Sequence, residues 1–341
     1  MYYAGIDVGS EEVVVAVKDK KRLLKTKPFS NDASGHKALI KYLTYQKSGT
    51  RVCVEATGSY HFDLSVRLSD SKNIEVMVLN PRQSKHYAEV LNHAHKTDKI
   101  DAAILADYCH RMEFRSWKRP NNSKLILRAY SRRLVAMVHQ KAQLNNQLHA
   151  LQASDFTPEE IINNVLTMIQ FYEKEINGIE TAAIEHIKKN DDLNKHFELL
   201  NSVKGIGNRS AVILLGELSV LPEDMNMKEW VSYAGLNPRI VQSGKSVLKQ
   251  TKISKAGNKY LRMGLYMPAL SATRSDPYVR GYYLHLIEDN GLKKMQALCA
   301  VMRKLLHAIH RMMGNTELFD SQRFYSKPVE LPSRKKQQLA M

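Results

Sequence analysis

Strand and helix patterns alternate over residues 1 to about 115, and that order limits the possible folds more than any other feature of the chain. "YYAGIDVG" reads as a strand, and "EEVVVAVKD" follows closely enough to close a hairpin with it. "RLLKTKPF" supplies a third strand. Helical spacing at Leu39, Ile40 and Leu43 marks residues 34–46 as a helix. "RVCVEA" is a fourth strand, "YHFDLSVRLSD" a helix and "IEVMVL" a fifth strand, before Asn80-Pro81 breaks the chain ahead of another helix. Three adjacent strands followed by alternating helix and strand predict a mixed sheet flanked by helices.

Four acids stand out against this pattern. Asp7 lies inside the first strand between Ile6 and Val8, where a charge is costly unless it faces a site or a partner. Glu55 ends the fourth strand. Asp98 and Asp101, three apart at the start of the helix after the fifth strand, share one helical face. Each has a plainer reading: Asp98 after Thr97 suits a first-turn acid, and Glu55 suits a strand end. Together they suggest more. The first and fourth strands can lie side by side with the last helix across them, so that all four carboxylates converge. Converging carboxylates repel unless cations neutralise them, and oxygen-only ligands select Mg²⁺ or Mn²⁺. Two such ions about 4 Å apart serve phosphoryl transfer.

The charge balance points to the same chemistry. Lys plus Arg number 51 against 34 Asp plus Glu, a formal net charge of +17, which attracts polyanions and nucleic acid first among them. Cys53, Cys109 and Cys299 are scattered through apolar stretches without zinc spacing, and read as buried thiols of a reducing compartment. No basic flank precedes a long apolar run, so the expectation is a cytoplasmic protein with no membrane partner.

The texture changes from about residue 124. Leu134, Met137, Leu144, Leu148 and Leu151 follow a heptad-like spacing that Lys141 interrupts; Thr157 as N-cap and Pro158 in the first position open a second long helix through Val165, Met168, Tyr172, Ile176 and Ile179. This predicts a helical hairpin or coiled-coil arm, closed on itself or pairing two subunits. "LLNSVKGIGNRSAVILLGEL" reads as helix, Gly205-Ile206-Gly207 turn and helix, the helix-hairpin-helix mode of phosphate contact. Between Arg239 and Arg262 lie seven basic residues and no acid: Arg239, Lys245, Lys249, Lys252, Lys255, Lys259 and Arg262. Val247, Leu248, Ile253, Tyr260 and Leu261 interleave them, which predicts an ordered basic surface for a phosphate backbone.

"GIDVGS", "VEATGSYH" and "HKTDKIDAAILADY" resemble the DEDD-type transposases of bacterial insertion sequences, a family that also includes the pilin-gene invertases. The resemblance implies an α/β N-terminal RuvC-like, ribonuclease-H-type domain over 1–120, with Asp7, Glu55, Asp98 and Asp101 as catalytic metal ligands. It further implies a helical coiled-coil linker over 121–195 and a mainly α C-terminal transposase domain with helix-hairpin-helix over 196–315. A flexible basic tail over 316–341 completes the plan. A serine nucleophile is implied in the C-terminal domain; Ser243, before Gly244, matches best, with Ser246 and Ser254 as neighbours. The implied function is Mg-dependent DNA strand cleavage and exchange through that serine at element ends and target. The implied partners are DNA, a guide or bridge RNA, and further copies of the chain. Three other readings compete: a Holliday-junction-resolvase-like nuclease using the same acids with water, an actin-like or sugar-kinase ATPase suggested by "GIDVGS", and a non-enzymatic DNA-bridging scaffold.

Overall fold

A computed structural model describes residues 1–19, 21–45, 48–56, 60–91, 97–243 and 247–331, with the backbone alone over 240–243 and 247–251. The chain divides into two compact units, residues 1–119 and Pro120 onward.

The first unit follows the predicted order. Its elements are β1 (Tyr2–Val8), β2 (Glu12–Lys18), β3 (Leu23–Ser30), α1 (Ala33–Thr44), β4 (Thr50–Glu55), α2 (Phe62–Ser69), β5 (Ile74–Leu79), α3 (Pro81–Val90) and α4 (Asp98–Arg111). The sheet order is β3-β2-β1-β4-β5. β1 and β2, and β2 and β3, pair antiparallel, whereas β4 runs parallel to both β1 and β5, so the sheet is mixed. Strand alternation sends Ala4, Ile6, Val8, Val13, Val15, Val17, Val52 and Val54 to one face, where they pack with Leu39 and Leu43 of α1 and Leu64 and Leu68 of α2. The other face meets α4 through Val14, Ala16, Cys53, Met77 and Leu79. Cys53 and Cys109 are buried free thiols and Cys299 is partly exposed.

The second unit comprises α5 (Asn122–Gln152), α6 (Glu159–Lys188), α7 (Asp191–Asn201), α8 (Asn208–Leu218), α9 (Met227–Ala234), β6 (Pro238–Ser243), β7 (Val247–Ile253), α10 (Lys259–Ser275), α11 (Pro277–Glu288) and α12 (Lys294–Asn315). α5 and α6 are antiparallel neighbours: His186 bonds to the Ser123 carbonyl at one level and Lys141 pairs with Glu173 at another. Their base shares a core with the C-terminal helices through Leu127, Leu134, Ile176 and Ala183, so the arm and the C-terminal region, expected as separate domains, form one unit. α6 starts one residue later than expected: Pro158 is extended at ψ 139° and acts as the N-cap, with Glu159 first in the helix. The expected tail is also shorter. Phe324 is buried beside Tyr282, and the Val329 N–H donates to the Pro277 carbonyl, so residues 316–331 pack onto the unit. Residues 332–341 lie outside the described residues. Among the described residues no helix is long and apolar enough to cross a membrane.

Candidate active site

The carboxylates are placed by one close crossing. Tyr3, Gly5 and Asp7 occupy the α4-facing side of β1, and a Cβ added at Gly5 would lie 2.1 Å from the Ala106 nitrogen and 2.2 Å from the Ala102 carbonyl oxygen. Only a glycine opposite two alanines lets helix and strand backbones approach so closely. α4 runs back along β1, with the Tyr3 and His110 rings 4.6 Å apart and tilted by 54° near its far end, so its first turn arrives beside Asp7. Thr97 caps that turn by accepting the Ile100 N–H, and Asp98 and Asp101 both lie in it. Ile6 pairs with Val54 across the parallel β1–β4 register, which puts Asp7 and Glu55 side by side at the strand ends, the usual ligand end of such sheets.

The electrostatics reflect this meeting. The Asp7 carboxyl is pushed up to about 6, first by burial and then by the charges of Asp101, Asp98 and Glu55. Two sets of contacts hold the frame around it. The Ser84 hydroxyl of α3 donates to Glu55 Oε2 at 2.5 Å. Asp107 ties α4 to its neighbours: Lys18 of β2 pairs with it, Tyr87 of α3 donates to it at 2.8 Å, and Arg111 Nε lies 2.9 Å away. Among the described residues no three His, Cys, Asp or Glu side chains are drawn close enough to hold a metal ion in this arrangement. The donor set nevertheless fits a hard divalent cation, because positive charge among these oxygens relieves the repulsion that adds to burial in raising Asp7.

In the second unit, the helix, glycine turn and helix expected over 199–218 are α7, the Gly205–Gly207 turn and α8. Gly205 has φ +107° and its missing Cβ would meet the Ala272 nitrogen of α10 at 2.7 Å, so this glycine serves packing as well as turning. Gly207 is the N-cap of α8, with no side-chain cap and nothing within 4 Å of an added Cβ. The segment around Ser243 is a β-hairpin: Ser243 is the last residue of β6 and pairs with Val247 of β7. The Ser243 and Lys249 side chains, and Gly244, Lys245 and Ser246 altogether, lie outside the described residues. Ser254 follows β7, its backbone N–H donating to the Asn237 carbonyl at 2.8 Å. Arg239, Lys252, Lys255 and Lys259 are exposed. Arg262 is not part of that open surface. Its Nη1 donates to the Ala234 carbonyl at 2.9 Å, satisfying the end of α9, and burial holds its guanidinium below the usual range.

Glu217, missed in the sequence, organises the hairpin's base. It is fully buried in α8, accepts from Arg132 Nε at 2.8 Å and Asn258 Nδ2 at 2.6 Å, and has Arg128 Nε at 3.5 Å. Asn258 also caps α10 by accepting the Leu261 N–H, and its backbone N–H donates to the Tyr233 carbonyl. A glutamate inside the apolar run "AVILLGEL" was the available signal.

Comparison with known proteins gives the family of the chain. A DEDD-type IS110 transposase model matches residues 4–154, and a second model, described as the transposase IS116/IS110/IS902 family, matches residues 197–284. The chain belongs to the IS110 transposase family. The pilin gene-inverting proteins of Moraxella bovis and Moraxella lacunata are each 28% identical to this transposase over 295 residues, covering 86% of this chain and 89% of theirs. An insertion element IS110 protein of 43.6 kDa from Streptomyces coelicolor is 28% identical over 126 residues, 36% of this chain and 30% of its own. The first match carries all four acids of the transposase and ends beyond α5, past the boundary of the compact first unit. The second spans the Gly205–Gly207 turn, the basic hairpin and Asn258.

Proposed function

We propose that this transposase cuts and exchanges DNA strands at the ends of its element and at a target, using Asp7, Glu55, Asp98 and Asp101 to hold Mg²⁺ (or Mn²⁺) and Ser243 as nucleophile. The observation that carries the reading is the raised Asp7 carboxyl, pushed up by burial and then by the charges of Asp101, Asp98 and Glu55. When bound, the ions would neutralise phosphoryl oxygens and make an oxygen nucleophile easier to deprotonate. Asp7 and Glu55 would set the site from rigid strand ends, while Asp98 and Asp101 complete it from the first turn of α4. Ser243 Oγ would form a bond to phosphorus as the bond to the departing strand oxygen breaks. That oxygen leaves with a proton, and the serine proton passes to solvent. The resulting phosphoserine keeps the phosphodiester energy for rejoining to a second strand, so no ATP is required.

The Moraxella relatives are named for inverting a pilin gene, which favours rejoining over simple hydrolysis here as well. Exposed Arg239, Lys252, Lys255 and Lys259, with the Gly205–Gly207 turn and the open N-terminus of α8, would contact nucleic-acid backbone in a sequence-independent way. Sequence choice would then fall to a guide RNA paired with donor and target. The α5–α6 arm would act as a coiled coil joining subunits in a homo-oligomer, and the chain would work in the cytoplasm.

Incubation with Mg²⁺, co-purified RNA and nicked, trapped DNA tests this on a denaturing gel. A covalent adduct mapping to Ser243 and requiring Asp98 is expected. Free cleaved ends that persist in Ser243→Ala would replace the proposal with the resolvase-like nuclease.

A further inference from the structure

Residues 20–54 contain nine basic residues (Lys20, Lys21, Arg22, Lys25, Lys27, Lys37, Lys41, Lys47 and Arg51) and one acid, Asp32. That acid is engaged locally: its carboxylate caps α1 by accepting the Ser34 and Gly35 N–H groups, each at 2.8 Å. Six of the cations, Lys21, Arg22, Lys25, Lys27, Lys37 and Lys41, are exposed and have no ion-pair partner among the described residues. Their placement is defined by register. Lys25 pairs with Val17 and Lys27 with Val15, so both point to the α1 face of the sheet, and Lys27 Nζ lies over the Phe29 and Tyr42 rings. Lys37 and Lys41 stand one turn apart on α1. Asp7 pairs with Val14, which packs against α4, so the carboxylates lie on the opposite face.

We infer that the β3–α1 face of the first unit is a second DNA-docking surface, holding the backbone of duplex that is not being cut. This rests on the reading of the opposite face as the cutting site. Exposed cations in excess on a folded surface, where Asp19 is the acid beside Lys21 and Arg22, match a phosphate array, and separation by the thickness of the sheet keeps them from competing with metal for the carboxylates. Duplex DNA suits the surface better than an unpaired strand, which needs a run of open rings to stack on. Phe29 and Tyr42 are covered by Lys27, and Tyr45 is the one ring standing exposed on α1 or its cap.

The test measures the salt dependence of binding of the full chain to duplex DNA. The variant Lys21→Gln/Lys25→Gln/Lys37→Gln/Lys41→Gln leaves Lys27 on its rings. Its slope of log K against log salt should be shallower by about 2–3, since each lost phosphate contact is worth roughly 0.9. A control with the same charge change elsewhere, Lys188→Gln/Lys189→Gln/Lys195→Gln/Lys294→Gln, should change the slope by less than one such contact. An unchanged slope, an equal loss in the control, or a loss seen with single-stranded RNA and not with duplex would each overturn the inference. Asp98→Asn keeps the full slope while losing cleavage. If Asp98→Asn cleaved normally, the cutting-site reading would fail while the slope measurement still decided the docking surface.

Discussion

The two units treat buried negative charge in opposite ways. Glu217 in the second unit is fully buried, with two arginines and Asn258 around its carboxylate, and these bind α5, α8 and α10 together. Asp7 in the first unit is half-buried, has no ion-pair partner among the described residues, and has its carboxyl raised to about 6 by that burial first and then by the charges of three further acids. A fold that can assemble arginines around one glutamate has the means to neutralise an aspartate. Leaving Asp7 among like charges costs the folded chain something and is best explained by a cation supplied from outside. The difference separates a charge that holds structure from one that the proposed cation would neutralise.

Three substitutions should sharpen that contrast. Asp98→Asn should reduce strand cleavage about 10⁴-fold, ~5 kcal/mol of barrier, with the melting temperature kept or raised. A large loss of stability in that variant would make Asp98 structural and erase the comparison. Glu217→Ala should do the reverse, costing about 3–5 kcal/mol in denaturant unfolding because it strands Arg132, Arg128 and Asn258 without their acceptor. Gly5→Ala should lie between, destabilising by about 1–3 kcal/mol as α4 is pushed off β1, and reducing cleavage more than the stability loss explains. Equal cleavage by Gly5→Ala and the parent chain would show that the α4 crossing does not set the site.

The succession of strands and the sheet's mixed character were legible because alternation and chain breaks are local signals, readable in the hairpin of the first two strands and at Asn80-Pro81. The acids were legible for a similar reason: Asp7 contradicts its surroundings. Gly5 was not, because its necessity arises only where Ala102 and Ala106 of α4 cross it. Ser84 and Asp107 share that limit, since a serine or aspartate on an ordinary helix gives no hint that it holds Glu55 or clamps α4 to β2 and α3. The segment of β6 and β7 reads in the sequence only as an ordered basic surface, because its basic residues hide the strand pattern, and Arg262 reads as a DNA contact because its carbonyl partner lies 28 residues away.

The smallest expected effect is the most specific. The ordinary value for an aspartate is 3.8, and Asp7 is raised to about 6 in the metal-free fold. Between those values the folded chain binds a proton that the unfolded chain has lost, so stability falls as pH rises through the window and stays lower above about 6. Asp7→Asn removes both the titration and the repulsion. Its metal-free melting temperature should be flat across the window and higher than that of the parent above pH 6, by about 2–4 °C for each kcal/mol of repulsion relieved. Mg²⁺ must reverse the sign for the parent: binding to the ionised carboxylate stabilises increasingly from pH 5 to pH 7, and by much less in Asp7→Asn. Identical pH profiles for the two chains, with and without Mg²⁺, would mean that Asp7 is solvated like any surface aspartate, and the difference between the two units would vanish.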